Sequence, residues 1–114
     1  MTMTREQIRA HKRTVARGLR ADASDSDEIQ ARRCALALLE HSISLRHDRL
    51  AVNRLSLAVR AGAEVSESHW SYCEEAIRRS RDPSLVAMLQ QAGKVQREAA
   101  CGERERARAT PPDQ

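Results

Sequence analysis

His69 and Cys73 stand four residues apart, a spacing that on a helix places an imidazole and a thiol on one face and suits zinc. Two more ligands would have to come from elsewhere, and no motif in the chain nominates them. Packing of Cys73 beside Trp70 is the simpler reading. Cys34, Cys73 and Cys101 form an odd set at wide spacing with no Cys-x-x-Cys pair. That count argues against a secreted disulfide framework and for a reducing compartment. His41 and His47 flank the most apolar segment, where they suit either pH-sensitive interface groups or solvated helix positions. Glu74 and Glu75 are adjacent, so on a helix they point about 100° apart and cannot share a substrate. There is no Gly-x-Ser-x-Gly turn and no Gly-rich phosphate loop. Four glycines are too few to build a loop around a nucleophile, its base and its orienting group. These residues predict no enzyme, no metal and no cofactor.

The elements that carry them read as helices. No Pro occurs before Pro83, and Gly occurs only at 18, 62, 93 and 102. Aromatics make up 2% of the 114 residues, which disfavours a β-sandwich or barrel. Hydrophobic residues at 40% and charged residues at 32% fit one modest core and one domain. No apolar run approaches membrane-spanning length, and the N-terminus alternates charge where a leader would be apolar. The expectation is a soluble, cytoplasmic protein that does not enter a membrane. The fold expected is all-α, a small bundle of four to five helices over residues 1–102, followed by a disordered charged tail over 103–114.

Local signals place the helices. Thr4 with Gln7 makes a capping box that opens a first helix, with Ile8, Val15 and Leu19 on one side. Ser24, Asp25 and Ser26 open a second near residue 25. Gly62 is placed as a left-handed helix stop. Ser66 caps another helix, with Val65 and Trp70 as a hydrophobic staple and Trp70, Cys73 and Ile77 as the buried face. That helix ends in Arg78, Arg79 and Arg81. Asp82-Pro83 restarts the chain. The last helix carries Leu85, Met88, Leu89, Ala92, Val95 and Ala99 and closes at Gly102.

The middle third has a surplus. Ile29, Leu36, Ile43, Leu50 and Leu57 recur every seven residues, and so do Leu38, Leu45, Val52 and Val59, two residues out of phase. Positions two apart on a helix differ by about 200°, so the rows lie on nearly opposite faces. An average helix is about 11–12 residues, which favours a break at His47-Asp48 with Asp48 capping a new helix. One row is enough for a small core. The second needs either flanking helices or a partner, and a partner is preferred. The residues assigned to partner binding are Leu38, Leu45, Val52, Leu55 and Val59. Arg49, with Arg46, Arg54 and Arg60, sets orientation and on-rate.

Charge is uneven. Residues 1–20 hold six Arg and Lys against Glu6, and residues 21–30 hold four acids. The basic block suits phosphate, but no aromatic interleaves with it, and neutralisation by the adjacent acidic turn is the simpler reading. A rival function is a small helix-turn-helix-like DNA-binding protein using residues 58–81. Ala58 to Gly62 loosely echoes that motif, and Arg78, Arg79 and Arg81 lie near its second helix. Against it, the turn is long, and Glu67, Glu74 and Glu75 sit on the would-be recognition helix.

The segments RRCALALLEHSISLRHDRLAVNRLSLAVR (32–60) and SESHWSYCEEAIRR (66–79) sit in a short, Arg-rich, aromatic-poor chain. In these respects it resembles the small quorum-sensing anti-activators of Pseudomonas. The resemblance implies a homodimer that binds the ligand-binding domain of a LuxR-type transcriptional regulator. It implies that this regulator is kept from dimerising and so from binding DNA. It carries no individual residue roles.

Overall fold

A computed structural model describes residues 3–109, with side chains as far as residue 101. Five helices follow one another: α1 (Arg5–Gly18), α2 (Asp25–Ser44), α3 (Asp48–Arg60), α4 (Glu67–Ser80) and α5 (Pro83–Ala109). No strand occurs among the described residues. The expected all-α bundle is present.

Three helices start where a hydroxyl caps them. Thr4, Ser24 and Ser66 each accept from the backbone N–H three residues on, and Gln7, Asp27 and His69 reach back to complete the capping boxes. Asp82 does the same work for α5, taking the Ser84 N–H at 2.9 Å just before Pro83. Gly62 takes φ +83° one residue past Ala61, the C-cap of α3, as a left-handed stop requires.

The break in the middle is real, but its chemistry differs from the expectation. Asp48 is not the cap. His47 holds that position and makes no side-chain cap bond. Arg46 turns the chain instead, at φ 56°, while His47 N–H returns to the Ser42 carbonyl at 3.0 Å. This is a Schellman-type stop with Arg where Gly is usual.

α1 and α2 form an antiparallel pair. His11 Nδ1 lies 3.1 Å from Cys34 Sγ midway along both helices, and Gly18, at the end of α1, faces Ala31 and Asp27. α3 is the hub and packs on α2, α4 and α5. The core runs through Val15, Ala35, Leu38, Leu39, Ala51, Val52, Leu55, Ala58, Cys73, Ala76, Leu85 and Leu89. α5 contributes buried residues as far as Ala92. It then runs on through Gly102 to Ala109, so the stop expected at Gly102 does not end the helix. Of the tail expected to be disordered, residues 110–114 lie outside the described residues. α5 is about 40 Å long, twice the reach of α3 or α4, and the molecule measures 50 × 31 × 23 Å.

Candidate protein-binding surface

Four of the residues assigned to a partner are core. Leu38, Val52 and Leu55 are at most 1% exposed, and Val59 is 8% exposed. The reason is geometric. α2 buries Ala31, Ala35, Leu38, Leu39 and Ser42, and α3 buries Ala51, Val52, Leu55, Ala58 and Val59. These are the inner faces of two separate helices. Leu38, Val52 and Val59 keep to the inner side before and after the turn at Arg46, and only Leu45, at the turn itself, leaves it. Leu45 falls at the stop of α2 and emerges 41% exposed. Arg49 is largely exposed, and its guanidinium meets Asp82 at 2.6 Å, tying α3 to the start of α5.

The surplus therefore lies on the other row. Ile29 is 42% and Leu50 37% exposed. Leu36, Ile43 and Leu57 are half-buried against the core. Leu45 and Leu50 stand beside a notch of about 160 Å³ whose floor is Leu38 and whose walls include Ile8, His41, His47 and Arg54. Ile8 comes from α1, His41 from α2 and Leu50 with Arg54 from α3, so three helices and one turn shape the site. Arg54 Nε is buried there without a hydrogen-bond partner. Burial pushes its pKa down. A desolvated guanidinium with an unanswered N–H is costly unless an acceptor arrives. Sequence reading gave Arg54 a role at the rim; nothing in its type or spacing marked it as the unpaired group, and the membership of Ile8 is visible only once α1 is docked.

A second opening lies between α4 and α5. It measures about 530 Å³ and is lined by Trp70, Glu74, Leu89, Gly93, Arg97 and Ala100 among others. It opens where α5 leaves the bundle.

The residues with chemical potential are occupied elsewhere. His69 Nδ1 accepts the Ser66 N–H at 3.2 Å, and Nε2 lies 3.6 Å from Glu40. Cys73 is fully buried. Among the described residues no three His, Cys, Asp or Glu gather as metal ligands. Of the face expected on α4, Cys73 is buried, Trp70 and Ile77 are half-buried, and Ala76 completes it.

Burial raises the Cys73 thiol to about 12. Its thiolate is therefore scarce at neutral pH, and a thiol is reactive only as thiolate. With a disulfide reagent on native protein, exposed Cys101 reacts first, half-buried Cys34 more slowly, and Cys73 only after denaturation. Fast labelling of Cys73, read by peptide mass, refutes this packing.

Asp48 is the main polar tie of the molecule. Tyr72 donates its hydroxyl to Oδ1 at 2.6 Å, and Arg79 donates Nε to Oδ2 at 3.0 Å and Nη2 to Oδ1 at 3.1 Å. Arg79 also stacks 5.5 Å above the Tyr72 ring. Arg79 first, then Tyr72, holds the Asp48 carboxyl below its ordinary value of 3.8. The folded state thus binds that proton less readily than the unfolded state. The stabilisation is complete above pH 3.8 and drains away as pH falls through the depressed folded value. Asp48→Asn lowers stability by about 1–2 kcal/mol at pH 7, the low end for charged hydrogen bonds because Arg79 is half exposed. Urea melts of the two proteins converge once the pH is well below 3.8. A gap that persists there contradicts the assignment.

The same contacts bear on residues 58–81. Arg79 is committed to Asp48 and Arg78 to Glu75. The opening turn of α4 carries Glu67. No helix among the described residues is long and apolar enough to cross a membrane. No family model, no curated protein and no solved structure matches the chain.

Proposed function

We propose that this chain is an anti-activator. It binds the ligand-binding domain of a LuxR-type quorum-sensing regulator in the cytoplasm, occludes the face through which that regulator dimerises, and so prevents DNA binding. The observation that carries the reading is the notch at the α1–α2–α3 junction. Leu45 and Leu50 stand exposed beside it, and the buried Nε of Arg54 has no partner within the chain. Exposed leucines around a concave apolar floor are what an inserted helix side chain fills. Arg54 would then take a carboxylate or carbonyl from the regulator, and exposed Arg46 steers approach. The resemblance of residues 32–60 and 66–79 to the small anti-activators supports the choice of partner.

The active form in this proposal is a homodimer. The α4–α5 opening supports it: past Ala92 the inner side of α5 continues as Gly93 and Ala100, small residues that let a second helix approach closely, with Glu74 and Arg97 at hand for opposite-charge pairing.

The test is a titration of purified LuxR-type ligand-binding domain with this chain, read by size exclusion with light scattering. A complex containing two copies of the chain and one regulator domain, formed at the expense of the regulator dimer, supports the proposal. An unchanged regulator dimer at all ratios sinks it.

A further inference from the structure

We propose that the outward face of α1 binds the phosphate backbone of duplex nucleic acid without reading its sequence. Arg9, Arg13 and Arg17 follow at four-residue steps, about 6 Å apart along the helix axis, and Arg20 continues the row in the turn beyond. Arg5 and Lys12 flank it. All six are exposed, whereas Val15, Ile8 and Leu19 occupy the opposite, inward side.

No carboxylate among the described residues answers this row. None of the six takes part in an ion pair among the described residues. The acidic stretch that follows α1 does not neutralise it. Asp27 is held by the Ser24 N–H in a capping box, and Asp22, Asp25 and Glu28 pair with none of the α1 cations. Elsewhere Arg49, Arg78 and Arg79 each meet an acid, and the other described cations without an ion pair are scattered over α2 to α5 and their turns, where α1 sets its own in a row. The row also works against its own helix. Like charges four residues apart repel, and Arg5 and Arg9 sit at the positive end of the dipole.

The occupant follows from what the face lacks. Among the cations lie Glu6, Gln7 and the small Ala10 and Ala16, so there is no apolar anchor of the kind a protein interface centres on. No aromatic lies on α1, so bases have nothing to stack on and a single strand is disfavoured. A duplex backbone needs neither. It offers a negative charge every ~1.7 Å of axis, which a straight row of guanidinium groups meets. The face is the reverse side of the helix whose Ile8 lines the notch, so this inference does not rest on the proposed regulator binding.

The experiment is fluorescence anisotropy of the full chain with random-sequence duplex DNA over a range of salt. Four to six phosphate contacts give a slope of log affinity against log salt of about −4 to −5. The triple variant Arg9→Gln, Arg13→Gln, Arg17→Gln keeps its helical circular dichroism, loses about tenfold or more in affinity at low salt and flattens the slope by about 3. Arg78→Gln on α4 and Leu45→Glu at the notch leave both unchanged. The proposal is overturned by no binding at low salt, by a slope shallower than about −2, by a triple variant that binds like the parent, or by an equal loss in Arg78→Gln, which would move the contact to α4.

Discussion

Val52→Glu unfolds the protein at neutral pH, while Leu45→Glu leaves it folded and, under the function proposed above, unable to hold a LuxR-type regulator. The two residues are seven apart on one sequence row, and the sequence treats them alike. The structure separates them: Val52 is 0% and Leu45 41% exposed. An uncompensated carboxylate among Leu38, Leu39 and Leu55 costs several kcal/mol, about 3–5 by the measure of broken buried pairs. A small domain has only about 5–15 kcal/mol in total, so little folded population survives. At Leu45 the new charge stays in water, and the stability change is within about 0.5 kcal/mol. Binding responds in the opposite order. A charge at the lip of the notch must be desolvated on docking. The expected loss of regulator affinity is about a hundredfold, roughly 2.7 kcal/mol. Urea melts followed by circular dichroism give the first half of the prediction and calorimetric titration the second. A Leu45→Glu protein that binds normally removes the notch from the mechanism. A Val52→Glu protein that melts like the parent removes this core.

Gly18→Ala destabilises the protein, against the trend for helical glycines. Replacing Gly by Ala in an exposed helix gains about 1 kcal/mol. Here the new Cβ would lie 2.2 Å from Ala31 Cβ and 2.7 Å from the Asp27 carbonyl oxygen. Both neighbours belong to the body of α2, so neither swings aside. α1 must lift off α2, and Val15 and Leu19 lose packing with it. Forcing one carbon into a filled contact costs about 1–3 kcal/mol, or roughly 5–20 °C in Tm for a domain of this size. Ala31→Gly in the same chain restores only part of the loss, because it relieves the Cβ contact, leaves the Asp27 carbonyl in the way and adds a glycine inside α2. A Gly18→Ala protein more stable than the parent shows that the helices do not approach this closely.

The helix starts were legible because their signals are local. Thr4, Ser24 and Ser66 each satisfy orphan N–H groups within three residues, and Asp82-Pro83 opens α5 by the same short-range chemistry. The break before α3 was legible in position, from length, yet not in mechanism. A glycine at residue 46 would have announced the left-handed turn; Arg46 adopts it at φ 56° with nothing in its type to show it. The choice of inner row was not legible at all. Both rows are leucine, isoleucine and valine at equal spacing, and the docking of α1 on α2 and of α4 and α5 on α3 decides which reaches the core. Once that is known, the surplus of apolar surface remains, carried by Ile29, Leu45 and Leu50. Gly18 was visible as a residue and not as a contact, since its partner Ala31 is thirteen positions away.

Asp48 gives the molecule an order of departure. α4 packs mainly on α3, with slight contact to α5, and its far end is fastened by one carboxylate to Tyr72 and Arg79. Acid that protonates that carboxylate unlatches α4 while the antiparallel α1–α2 pair, joined by apolar packing, stays closed. Cys73 is sealed on the inner face of α4, so backbone amide exchange around it, and not alkylation of a thiol that acid keeps protonated, is the clock for this one door.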